Sequence, residues 1–463
     1  DPFTLWAGSD DGLVHITRDG GKTWKEITPT GMPEQGTVNS IEVSPHSPGT
    51  AYISVYKYRD NDLRPYVFRT TDFGRSWDLL TDGNNGIPAD HFVRVVREDP
   101  VRQGLLYAGT EYGLYISTDN GNKWTVMQGN LPVVPITDLQ VKGNDLVIAT
   151  QGRSFWILDD LPVLRADVAA GQPLLPIPDA YRTQLSNNYG GGGASPDPAP
   201  LGALIYLYQT SGVDWSQARL TITSPDSTQN MVFAVKPKEG EQKLELKPGL
   251  NRILWDMRYS APKVQKGSVF SLANTRGIRA VPGNHTVVFT DGRRTVTQTL
   301  QVLKDPRWTC SEADLQAQFQ LSKQCEGMLQ DVHAMIGQIR TIREQVKSLE
   351  AWGMRDNSKP SWLNQSQQLT TAINDLEKQL IQTQSESHQD PINYPSMLDD
   401  QIAYLYSIVN GQDDRPTPGC FERYDDLIKL VSEKKTMYDR ILAEVTTLNG
   451  ALKQLDAPYV RLN

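Results

Sequence analysis

Apolar residues recur along this chain in two rhythms, and the change between them falls near Ser311. Ahead of it they come as short runs broken by Gly, Pro, Asn and Asp. Examples are Val38 to Val43, Phe92 to Arg97, Ile136 to Val141, Ala203 to Tyr208, Arg219 to Ile222, Met231 to Val235, Asn251 to Met257 and His285 to Thr290. Runs of this length between turn residues predict β-strands, and Asp291-Gly292 predicts a tight turn into Arg294 to Val302. Beyond Ser311 the apolar steps become three and four. Leu315, Phe319, Leu329, Val332, Ile336, Ile339, Val346 and Leu349 form one stripe, and Leu369, Ile373, Leu376 and Leu380 a second. Leu398, Ile402, Leu405 and Ile408 form a third, stopped by Gly411, and Tyr424, Ile428, Val431, Tyr438, Ile441, Val445, Leu448 and Leu452 a fourth. Four amphipathic helices with short connections predict an antiparallel bundle, opened by a capping box at Ser311 and Asp314.

Within the strand-rich part an octet repeats. Thr17-Arg18-Asp19-Gly20-Gly21-Lys22-Thr23-Trp24 returns as Thr70-Thr71-Asp72-Phe73-Gly74-Arg75-Ser76-Trp77 and as Ser117-Thr118-Asp119-Asn120-Gly121-Asn122-Lys123-Trp124. The aspartates are 53 and 47 residues apart. Leu5-Trp6-Ala7-Gly8-Ser9 matches Leu106-Tyr107-Ala108-Gly109-Thr110, and Leu146-Val147-Ile148-Ala149-Thr150 is a further copy without the octet. Such an octet is a hairpin: Asp bonds the N–H groups of its own turn, Gly takes the positive φ, and Trp plugs an apolar gap. A four-stranded unit repeated at this period predicts propeller blades. Asp19, Asp72 and Asp119 are therefore expected to build turns, with Gly21, Gly74, Gly121, Trp24, Trp77 and Trp124, because a catalytic acid would belong to one blade alone.

The fold class expected is multidomain, mainly β and then α. Residues 1–162 are expected to form an incomplete ring of blades, and 163–200 a Gly/Pro linker carrying the run Gly190 to Gly193. An immunoglobulin- or fibronectin-like β-sandwich is expected over 201–307 and a four-helix bundle over 311–456. The first repeat begins at the second strand of its blade, so the remaining blades are expected from an N-terminal portion of a precursor or from a separate chain. The chain opens with Asp1-Pro2, which reads as a processed or truncated product.

Charge removes one class of partner. A net charge of −8 with no basic stripe argues against nucleic acid, and no apolar run reaches the roughly 20 residues of a membrane helix. Cys310, Cys325 and Cys420 are too few and too scattered for a metal site or a disulfide framework, so neither metal nor cofactor is expected, and a buried thiol is expected at Cys325. His333, near the first stripe, lacks metal-ligating partners at helical spacing.

The octets resemble the Asp-box (BNR) repeats of sialidases, xyloglucanases and the sortilin ectodomain. Over essentially the whole chain, the order of segments resembles the C-terminal half of large bacterial proteins labelled BNR-repeat glycosyl hydrolases or sortilin-like proteins. The resemblance implies an extracytoplasmic setting, periplasmic, cell-surface or secreted. It leaves two functions. The favoured one is a binding or scaffold protein for a protein or glycan ligand, using an insertion over Tyr56 to Arg64 whose Tyr56, Tyr58, Arg59 and Arg64 are residue types of binding hot spots. The alternative is a glycoside hydrolase completed by missing blades, with Arg94, Arg97, Arg153, Tyr107, Glu111, Asp159 and Asp160 as candidates and no motif assigning any a role.

Overall fold

In the first 160 residues the short apolar runs become antiparallel strands separated by turns. These are β1 (Leu5–Gly8), β2 (Val14–Thr17), β3 (Lys25–Glu26), β4 (Thr37–Val43), β5 (Ala51–Lys57), β6 (Asp62–Thr70) and β7 (Asp78–Leu79), then β8 (Val93–Glu98), β9 (Leu106–Thr110), β10 (Gly113–Ser117), β11 (Thr125–Val126), β12 (Ile136–Lys142), β13 (Asp145–Thr150) and β14 (Phe155–Leu158). The computed structural model describes residues 2–166, 172–183, 200–210, 212–353, 362–387, 389–454 and 458–462, and forms two compact units, Asp1–Ala170 and Gly171–Asn463.

Hydrogen bonding sorts these strands into four sheets in chain order: β1-β2-β3, β4-β5-β6-β7, β8-β9-β10-β11 and β12-β13-β14. The repeat aligns β1 with β5, β9 and β13, so the first sheet starts at the second strand of the pattern. A separate apolar core fills each junction between successive sheets. Val14, Ile16 and Ile27 meet Ile53, Val55 and Phe68. Tyr52, Val67 and Leu80 meet Val96, Leu106 and Trp124, and Tyr107, Leu114 and Ile116 meet Ile136, Leu139 and Ile148. Burial of this apolar surface is the main stabilising term.

The second unit follows a short helix, α1 (Leu161–Arg165). Its strands are β15 (Ala180–Arg182), β16 (Ala203–Gln209), β17 (Arg219–Thr223), β18 (Asn230–Ala234), β19 (Gln242–Lys243), β20 (Gly249–Trp255), β21 (Gly283–Thr290) and β22 (Thr295–Lys304). They form a six-stranded sheet, β15-β22-β21-β17-β18-β19, and a two-stranded sheet, β16-β20. The β21–β22 turn is closed by Asp291, whose Oδ1 accepts the N–H groups of Arg293 and Arg294 at 2.8 and 2.7 Å. Helices α2 (Glu312–Gly353), α3 (Trp362–Leu380), α4 (Leu398–Gly411) and α5 (Pro418–Lys453) complete it. At the start of α2, Asp314 Oδ2 accepts from the N–H and the hydroxyl of Ser311, and Ser311 Oγ accepts from the Asp314 N–H.

Two expectations need correction. Residues 163–200 are not free of regular structure: 163–165 end α1, and Ala180–Arg182 pairs in parallel with β22. The cause is electrostatic as much as apolar, because the Arg182 side chain is buried and anchored on the Asp413 carboxylate at 2.8 Å. The run Gly190 to Gly193 lies outside the described residues. Secondly, the strands of 201–307 and the helices of 311–453 share one apolar core, in which Trp255, Tyr259 and Phe289 are continuous with Phe319, Leu329 and Ile336. The thiols of Cys310, Cys325 and Cys420 are buried and unpaired, and burial pushes Cys325 up to about 12.

Candidate functional site

Each octet closes on itself. The hydroxyl of Thr17, Thr70 or Ser117 donates to its aspartate at 2.8 to 2.9 Å and accepts the Gly21, Gly74 or Gly121 N–H at 2.9 to 3.0 Å. Asp19 also accepts from the Thr23 N–H and hydroxyl, Asp72 from the N–H groups of Arg75 and Ser76 and the Ser76 hydroxyl, and Asp119 from the Lys123 N–H. These bonds hold Asp19 and Asp72 at about 2, far from the range of a proton-transferring acid.

The opposite ends of the strands carry a different chemistry. Tyr56 and Lys57 extend β5, Tyr58–Asp60 makes one 3₁₀ turn, and Asn61 takes the left-handed conformation before β6 begins at Asp62. The insertion read from the sequence is thus a lengthened hairpin. Tyr58 stacks on Phe92 of the next sheet with centroids 4.8 Å apart and planes at 13°, and Tyr56 lies 5.1 Å from Tyr58. The Arg94 guanidinium sits 5.6 Å from the Tyr58 centroid and 5.1 Å from that of Phe92, and pairs with Glu111 at 2.7 Å. Exposed Arg59 lies 5.9 Å from the Tyr58 ring. Arg64 points elsewhere: it pairs with Asp62 at 2.7 Å and covers Tyr66. In the next hairpin His91 packs on the exposed Tyr112, 4.4 Å between centroids.

A polar row runs beside this cluster along the first strands of three successive sheets. Arg97 on β8 reaches Glu42 on β4 at 3.6 Å and Asp138 on β12 at 2.7 Å. Burial raises the Glu42 carboxyl against the pull of Arg97. Phe92, His91, Tyr112, Glu42 and Asp138 were not singled out from sequence. Their signal was positional: Phe92 and His91 precede a first strand, Glu42 and Asp138 are each the single charge of their strand runs, and Arg94 and Arg97 are the two charges of the run between them.

Of the hydrolase candidates, Arg94 and Glu111 meet as an ion pair, and Tyr107, Arg153, Asp159 and Asp160 are not gathered with them. Tyr107 is fully buried and donates to Asp99 at 2.8 Å, and burial with that carboxylate raises its phenol. Arg153 lies in the β13–β14 turn, whereas Asp159 and Asp160 follow β14 at the other end, where the register places Leu158 against Leu146 beside Asp145. Among the described residues no group of three or more His, Cys, Asp and Glu side chains is arranged to hold a metal ion. No described helix is long and apolar enough to cross a membrane.

No family model matches the chain, and no curated protein matches it. Solved structures that do match include YCF48 bound to D1 peptide, at 13% identity over 64% of this chain and 79% of that one, with a TM-score of 0.26. The GH74 xyloglucanase from Xanthomonas campestris matches at 15% identity over 64% of this chain and 50% of its own, TM-score 0.28. The Niastella koreensis GH74 enzyme matches at 14% over 64% and 44%, TM-score 0.29.

Titratable groups are also buried in the second unit, and they carry a pH prediction. Burial lowers His333 and His285 from 6.5 to about 4 and raises Asp399 from 3.8 to about 7 and Glu326 from 4.5 to about 6. His333 Nε2 stands 3.9 Å from Asp399 Oδ2, a contact between neutral groups across the range where both pKa shifts apply. The histidines lose stability as pH falls from 6.5 towards 4, because the unfolded chain takes up their protons first. The carboxyls do the reverse: the folded chain keeps their protons, so they gain stability as pH falls towards 4. The two effects oppose, and stability should be nearly flat between about pH 6 and 4.5, where two groups act on each side. Asp399→Asn removes the larger carboxyl contribution, so the variant should lose about 2 kcal/mol relative to the parent between about pH 6.5 and 4.5. Urea unfolding at the two pH values checks this; parallel curves for parent and variant would refute it.

Proposed function

We propose that the chain is a binding scaffold built on propeller blades, with its ligand site at the strand ends that carry Tyr56, Tyr58, Arg59, Phe92 and Arg94. The observation that supports it most is the gathering of three aromatic rings and two guanidinium groups from two sheets at one strand end. Aromatic faces beside a cation suit the C–H faces of a sugar or the side chains of a peptide, so the ligand proposed is a glycan or a protein segment. In this reading Asp19, Asp72 and Asp119, with their glycines and tryptophans, are structural, Arg64 is outside the contact surface, and the setting is extracytoplasmic. The shorter sheet with the longer one is proposed to be an immunoglobulin-like sandwich, and α2 to α5 a bundle against it.

The partners proposed are further propeller blades, on a longer precursor or a separate chain. A Cβ on Gly74 would lie 2.5 Å from Ile27 Cδ1 of the preceding sheet, and one on Gly121 would lie 2.7 Å from Leu80 Cδ1, whereas among the described residues a Cβ on Gly21 would meet only its own Trp24, at 4.0 Å. β5 and β9 are mostly or wholly buried, but Leu5 on β1 is exposed, and so are Phe155 and Ile157 on β14. Further blades seated on both outer faces would bury these positions as the inner junctions do.

Tyr58→Ala and Arg59→Ala test the site. Each is expected to weaken binding of a ligand found by glycan and peptide screening at least about tenfold, as hot-spot truncations do. Titration of the variants against that ligand reads it out. Unchanged affinity in both variants would place the site elsewhere.

A further inference from the structure

The second unit holds a short extended segment in a way that reads backbone rather than side chains. Gln345 on α2 and Asn449 on α5 are half-buried primary amides, each with one acceptor and two donors. Asn449 Oδ1 accepts the Val460 N–H at 2.8 Å, and its Nδ2 donates to the Val460 carbonyl at 2.7 Å. Gln345 does the same to the next residue: Oε1 accepts the Arg461 N–H at 2.7 Å and Nε2 donates to the Arg461 carbonyl at 3.3 Å. Two consecutive residues thus have both main-chain groups satisfied by two side-chain amides, as a neighbouring β-strand would satisfy them. Val460 is the one buried side chain of the segment, at 2% exposure, while Tyr459, Arg461 and Leu462 stay exposed. Beside the segment an open groove of about 620 Å³ continues along α2, lined by Thr341, Glu344, Ser348, Leu349 and Trp352.

We propose that this α2–α5 groove is a binding site for an extended peptide with a β-branched apolar residue at its centre, and that residues 459–461 occupy it in cis. The seated segment itself defines the partner. The amides demand an extended main chain, the burial of Val460 in the apolar core of the unit selects a compact branched side chain at that position, and the groove accepts further residues on the Tyr459 side. A tethered occupant at high effective concentration masks the site, so a peptide in trans binds only as the segment leaves.

The test uses the full chain and a labelled peptide with the sequence of residues 457–463. Val460→Asp places a charge in the apolar pocket and should release the segment. Arg461→Pro removes the N–H that Gln345 accepts and gives a second route to the same state. In fluorescence anisotropy both variants should bind the peptide at least about tenfold more tightly than the parent chain. Adding Gln345→Ala and Asn449→Ala should abolish that gain, with the helical circular dichroism unchanged. A peptide carrying Asp at the Val460 position should not bind. Equal binding by parent and released variants would overturn the proposal. So would binding that survives loss of both amides, or release variants that pair into dimers without taking up peptide.

Discussion

Trp124→Ala is expected to cost about 3–5 kcal/mol, and Trp24→Ala, at the equivalent position of the first octet, less than about 1 kcal/mol. Trp124 is 2% exposed, packs into the core between the second and third sheets, and donates its indole N–H to the Leu80 carbonyl at 3.1 Å. Its removal leaves a cavity and an orphaned acceptor. Trp77 is intermediate: half-buried, it donates to the Ile27 carbonyl at 2.8 Å and meets Trp6 edge to face at 6.4 Å. Trp24 is 46% exposed. Native-state hydrogen exchange across β6 to β11 reads the first loss and across β1 to β3 the second. Equal costs at the two positions would mean that the octet tryptophans act within their own hairpins rather than between sheets.

Asp413→Ala should be the most damaging single change in the second unit, at about 3–5 kcal/mol. Its carboxylate, 3% exposed, holds Arg182 at 2.8 Å and Arg279 at 2.5 Å. Arg182 also donates to the Ala280 carbonyl at 3.0 Å and to Gln318 at 2.8 Å, which ties β15 to the sheet edge and to α2. Burial and the neighbouring Arg279 already lower Arg182 to about 10, so without Asp413 a buried guanidinium has no counter-charge. Urea unfolding followed by the helical signal measures the cost. A loss below about 1 kcal/mol would show that water or Gln318 compensates the charge.

Local periodicity made the strands and helices legible, because each element buries one face and the spacing of that face is written in the chain. Val38 to Val43, His285 to Thr290 and the stripe from Leu315 to Leu349 all lie within observed elements. What the sequence hid depends on long-range pairing. β15 is three residues whose place is set by Val302–Lys304 and Asp413, more than a hundred residues away. The proposed site was half legible. Tyr56, Tyr58 and Arg59 stood out as an insertion, but Phe92 and Arg94 belong to an ordinary strand run, and only the packing of the second sheet on the third brings them to Tyr58. Arg64 matched in residue type alone; the Asp62 carboxylate two residues away takes it.

The binding-scaffold reading is tested most directly by a glycan and peptide array probed with the intact protein, with hydrolysis of the same glycosides followed in parallel. At least one array member should be retained, and no glycoside should be turned over. The groups a hydrolase would use are paired or buried: Glu111 with Arg94, Glu42 and Asp138 with Arg97, and Tyr107 beneath the surface on Asp99. Release of sugar from any array member, lost on substitution of Glu42 or Glu111, would contradict the binding role and make the substituted carboxylate a catalytic group.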